Sequence, residues 1–138
     1  ITSIYEGTTQ LQTVAAIRYV TNGFYSSVIE DYAQMPVASE LESVKARVAA
    51  MTEKFNHCVT LVKEAENQEL HDLCARHLYE MAADIIMCYL LMQNASKAPE
   101  LFAQSLQVFA NHSEAEVAKH TSLIERMSAE QVENYRQA

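Results

Sequence analysis

Glu6 stands directly before Gly7, Thr8 and Thr9, and an apolar-patterned run begins at Leu11. This spacing reads as an acidic residue on a turn that opens a helix. Gly7 has no Cβ, so the backbone there can take unusual dihedrals and a ligand can approach it closely. A hydroxyl from Thr8 or Thr9 can cap the first free N–H groups of the helix. Those N–H groups and the helix dipole favour a negatively charged or hydrogen-bond-accepting ligand at the same end. The plainer reading makes Glu6 a first-turn glutamate that complements the dipole, with the threonines as simple caps.

The longer string favours the chemical reading. Ile4, Tyr5, Glu6, Gly7, Thr8, Gln10 and Gln12, with Leu11 at the usual isoleucine, match Ile-Tyr-Glu-Gly-Thr-x-Gln-Ile-Gln. That pattern resembles the carboxy-terminal end of the acyl-CoA dehydrogenase catalytic domain. The resemblance implies that Glu6 is the general base, removing the α-proton of an acyl-CoA thioester while the β-hydrogen leaves as hydride to FAD. It also implies substrate contact at Gly7, FAD contact at Thr8 and Gln10, an electron-transferring flavoprotein as acceptor, and a homo-oligomer. An α-proton beside a thioester is weakly acidic, so the base needs a dry site that raises its proton affinity. After the last glutamine the family often carries Arg or Lys where this chain has Thr13, which removes that basic side chain from any contact across a subunit boundary. The motif covers about the first 20 residues, and ordinary members end shortly after it. The rest resembles the extension of longer bacterial members similar to the methylthiopropanoyl-CoA dehydrogenases. A start inside such a motif implies a piece of a larger protein, expected to be inactive alone. A second reading, from another class, is a helical interaction or scaffold domain without catalysis.

The supporting elements follow from composition and periodicity. The chain has 138 residues with two glycines and two prolines, which favours long helices joined by short loops. A net charge of −8 argues against nucleic acid and anionic membrane surfaces as partners. No apolar run approaches the roughly 20 residues that span a bilayer. Cys58, Cys74 and Cys88 fall on apolar stripes, where a free thiol behaves as a small hydrophobe, and a reducing cytoplasm fits best.

The expected fold is all-α: an antiparallel up-and-down bundle of three long helices plus shorter flanking ones. Residues 1–22 are assigned to the end of the catalytic domain, 23–38 to a connector and 39–138 to the bundle. Leu11, Val14, Ala15 and Ile17 suit a short helix that Gly23 follows in a left-handed conformation. Phe24, Tyr25, Ile29 and Tyr32 make the connector too apolar to float, so an irregular or briefly helical segment packed on something is expected. Ser39-Glu40-Leu41-Glu42 has the form of a capping box. Leu41, Val44, Val48, Met51, Phe55, Cys58 and Val62 then recur at steps of three and four, predicting a helix that ends near Asn67. Cys74, Leu78, Met81, Ile85, Cys88 and Met92 form a second seam, and the apolar run 85–92 predicts a central helix buried on most sides. A third seam through Phe102, Leu106 and Val117 weakens over residues 111–116, predicting a kink or break. Ser128-Ala129-Glu130-Gln131 predicts a separate short last helix.

Other chemistry is weaker. His71, Cys74, Asp72 and His77 tempt a metal reading, but Cys74 belongs to the seam and Asp72 lies well round the helix from it, so no metal site is expected. The five histidines read as surface or half-buried. Asp84 needs either a partner across the bundle or exposure on a narrow polar stripe with Arg76 and Glu80. Met51, Met81, Met87 and Met92 read as core before pocket, and a dry cavity at Phe55, Met81 and Ile85 would be needed for a small ligand.

Overall fold

The computed structural model describes the backbone of residues 23–137 and the side chains of residues 23–127. The described residues form four α-helices and no strand: α1 (Phe24–Ala33), α2 (Glu42–Glu64), α3 (Gln68–Lys97) and α4 (Pro99–Gln137), with a 3-10 turn at Ser39–Leu41.

Side-chain pairs give the helix directions. Arg47 and His57 on α2 meet Glu114 and Glu125 on α4, in the same order along both, so these helices run parallel. His77 on α3 meets His120 and Asp84 feels His112, in reversed order, so α3 and α4 are antiparallel. The three long helices therefore run up, down and up. Ser26 bonds Asn56, and Met35 O accepts from Lys45 Nζ, so α1 lies antiparallel to α2. Helices α1 and α4 both pack on the α2–α3 pair, which makes α3 the central element.

The expected seams are the ones buried. Val44, Val48, Met51, Phe55, Cys58 and Val62 of α2 face Leu70, Cys74, Leu78, Met81, Ile85, Cys88 and Met92 of α3. Burying each Leu- or Phe-sized side chain contributes roughly 1.5–3 kcal/mol. The connectors are tight. Helix α2 stops at Glu64 and Glu66 takes φ 49°, a left-handed conformation that reverses the chain. Asn67 then caps α3, its side chain accepting from the Leu70 N–H at 3.1 Å. Pro99 opens α4, where its missing N–H costs no helical bond.

Several expectations need correction. The 23–38 stretch is helical over ten residues, and it packs Ile29, Tyr25 and Tyr32 against the core. Gly23, at φ 92°, precedes α1 as the left-handed residue expected there. No side-chain capping bond forms at the start of the 3-10 turn or of α2, so Ser39 does not complete a capping box. The run 85–92 is buried on most sides, with Met87 and Leu90 pointing outward. Helix α3 continues to Lys97.

Helix α4 neither kinks over residues 111–116 nor restarts after Ser128, but continues to Gln137. The reason is legible in the packing. Ser113 and His120 take the seam positions between Ala110, Val117 and Ile124, all buried, so the helical stripe continues through polar residues. Asn111 and Glu114, which looked like breakers, instead face outward and receive Arg47 at 2.7 and 3.1 Å.

Candidate functional site

Glu6, Gly7, Thr8 and Gln10 lie outside the described residues. Within the bundle, the titratable side chains gather along one edge of the α3–α4 seam.

Its inner member is His120, only 2% exposed, which corrects the reading of every histidine as surface or half-buried. His120 Nε2 lies 3.2 Å from one carboxylate oxygen of Glu80 and 3.7 Å from Glu116. Its Nδ1 lies 2.8 Å from Nδ1 of His77. Glu80 also takes Arg76 Nε at 3.2 Å, and Glu116 takes Lys119 Nζ at 2.8 Å. Burial lowers the proton affinity of both rings, and for His120 the neighbouring His77 lowers it further. Hydrogen bonding to Lys119 lowers the pKa of Glu116 and raises that of Lys119.

Asp84 is half-buried one turn along, and burial raises its pKa against the opposing pull of His112. Of the two surroundings expected for it, the exposure is partial, and His112 across the seam acts on it through charge without a hydrogen bond or ion pair. The sequence held a signal for this cluster: His120 is spaced three and four from the apolar Val117 and Ile124, and Glu80 lies three from His77. Hydropathy alone scores those residues as polar and passes over the seam.

The other candidates separate. Cys74 is buried in the seam, while His71 Nδ1 is 3.9 Å from Asp72. Among the described residues no three His, Cys, Asp or Glu side chains converge as metal ligands. Met51, Met81 and Met92 are core, and Phe55, Met81 and Ile85 are fully buried. An open groove of about 690 Å³ lies instead on the outer side of α3 and α4, between Leu91, Leu101, Val108 and Phe109. Among the described residues the buried core is apolar apart from Ser113 and His120.

Residues 21–132 match the family model described as acyl-CoA dehydrogenase C terminal. The chain belongs to the acyl-CoA dehydrogenase family. The bundle is that family's carboxy-terminal domain. A solved structure, the acyl-CoA dehydrogenase family protein from Porphyromonas gingivalis, is 37% identical with a TM-score of 0.75. The match covers 80% of this chain and 96% of that one. No curated protein matches the chain at a significant level. No helix among the described residues of this acyl-CoA dehydrogenase domain is long and apolar enough to cross a membrane.

Proposed function

We propose that this chain is the carboxy-terminal part of an FAD-dependent acyl-CoA dehydrogenase that introduces an α,β double bond into an acyl-CoA thioester. The observation that carries this reading is adjacency. The Tyr5-Glu6-Gly7-Thr8-x-Gln10 string ends about ten residues before the family domain begins at residue 21. Family membership alone supports an oxidoreductase; the string supplies the residues.

In this reading Glu6 takes the α-proton. Gly7, lacking a Cβ, lets the thioester approach the backbone. Thr8 and Gln10 contact FAD, which when bound supplies the hydride acceptor. The bundle's described core is apolar apart from Ser113 and His120, so the flavin and acyl sites are assigned chiefly to other parts of the enzyme. The bundle is then an accessory that packs subunits or covers the mouth of the active site. An electron-transferring flavoprotein as acceptor, a homo-oligomer and a cytoplasmic location complete the reading.

Glu6→Gln in the full-length enzyme tests it. The amide keeps the shape and loses the base, so turnover should be abolished while the flavin remains bound. Retained turnover removes Glu6 from the role. A full-length protein that purifies without flavin absorbance favours the non-catalytic scaffold.

A further inference from the structure

The polar edge of the α3–α4 seam holds a fixed number of protons. His120 Nε2 lies 3.2 Å from a carboxylate oxygen of Glu80, an ion-pair contact that favours the N–H of the neutral ring on that nitrogen. Nδ1 of His120 is then bare and must accept from Nδ1–H of His77 across 2.8 Å. This leaves Nε2 of the half-buried His77 as the one ring nitrogen able to take a further proton without breaking a bond. A second added proton would place N–H against N–H at 2.8 Å.

We propose that Glu80, His120 and His77 form a clasp between α3 and α4 that admits one added proton, at Nε2 of His77, and loosens when falling pH forces a second onto the pair. The clasp joins the two helices directly, because Glu80 and His77 belong to α3 and His120 to α4.

The charges around it are few and opposed. From α3, Glu80 favours a cationic ring, and Arg76 opposes one on His77. From α4, Glu116 favours a cationic His120, and Lys119 opposes a cation on either ring. On the α2 side, Cys58 faces Thr121 and Glu125, while His57 pairs with Glu125 at 3.6 Å. Burial weighs against charge on both rings and outweighs the carboxylates. In the unfolded chain each ring takes a proton near its ordinary pKa of about 6.5. The folded state therefore binds fewer protons below that point, and stability falls with pH there.

Urea unfolding of the 138-residue chain at pH 7.5 and 5.5 measures this. One imidazole held neutral across that interval raises the unfolding constant about tenfold. His77→Gln removes the restriction, since the amide oxygen can accept from a protonated His120. The pH 5.5 to 7.5 ratio of unfolding constants should then be smaller than in the wild type, by up to about tenfold, since burial still weighs against charge on His120. Equal ratios overturn the clasp. Groups common to both proteins cancel in the comparison.

The wild type gives a second test that needs no variant of the seam. Imidazole NMR signals followed from pH 8 to 5 should show His77 and His120 taking up at most one proton between them, with both rings shifting together. Two complete and independent protonations near pH 6.5 in the folded chain overturn the clasp.

Discussion

The two ends of the α3–α4 seam are built differently. Toward the Ala98 connector, Ile85, Cys88 and Met92 meet Leu106, Ala110 and Ser113, all fully buried. Toward the other end, the same two helices add His77, Glu80, His120 and Glu116 along one edge. Apolar side chains attract without direction, so the first end resists change in proportion to volume. Hydrogen bonds between rings and carboxylates are directional and titrate, so the second end fixes register and answers to pH. One helix pair thus carries a part that solvent conditions barely touch near neutrality and a part that they set.

The largest expected effect is at the apolar end. Leu106→Ala should cost about 2–5 kcal/mol, because a fully buried side chain leaves a cavity its neighbours cannot fill. Urea unfolding checks this, and the loss should be the same at pH 5.5 and 7.5. A loss that changes between those pH values would show that the two ends are one titrating unit.

The apolar end has its own limb, at alkaline pH. Burial raises the Cys88 thiol from 9.0 to about 11, against a lowering contact from Ser113. A thiol raised in this way is stable below its unfolded pKa, and its contribution is lost as pH climbs toward the folded value. The unfolded chain has then already released its proton. Stability should fall between roughly pH 9 and 11, by up to about 2–3 kcal/mol for this thiol. Cys88→Ala should make that limb shallower, with the part set by Cys74, likewise raised by burial to about 11, remaining, and leave the acid limb alone, as unfolding at pH 8, 9 and 10.5 would show. A matching change at pH 5.5 would merge the two ends.

This contrast also explains what could be read without a structure. The seams of α2 and α3 are legible because Val44 to Val62 and Cys74 to Met92 repeat apolar types at helical spacing, and hydropathy sees them. The continuity of helix α4 is not, because Ser113 and His120 stand in for apolar residues at seam positions. Glu80 and His77 face His120 there, while Ser113 lies beside Cys88 with its Oγ buried and without a hydrogen-bond partner. A neighbour that lies 25 or 43 residues away leaves no local trace. The same holds for Asn111 and Glu114, whose breaker-like types are neutralised by Arg47 from α2. The string around Glu6 lies outside the described residues, and its reading rests on contiguous residue types alone.

A smaller effect tests the turn that lets α3 enter the seam. Glu66 is a non-glycine at φ 49°, and a side chain costs about 1 kcal/mol or more in that region. Glu66→Gly should raise stability by roughly 0.5–1 kcal/mol, the gain being trimmed by glycine's greater freedom when unfolded. Both pH limbs should be unchanged, because the turn touches neither end.

The smallest effect comes from Arg47, which reaches from α2 over the apolar end to Asn111 and Glu114. Its side chain is 31% exposed and that of Glu114 49%, so solvent screens the pair. Arg47→Ala should cost less than about 1 kcal/mol, and less again in high salt. The cost should be equal at pH 5.5 and 7.5, since Arg47 is not among the charges acting on His77 or His120. Arg47 does act on Cys88, and its positive charge favours the thiolate there. Removing it should therefore steepen the alkaline limb slightly while the acid limb stays fixed. Urea unfolding of Arg47→Ala at pH 5.5, 7.5 and 10 reads both limbs in one protein, and a change on the acid side alone would reverse the assignment of Arg47 to the apolar end.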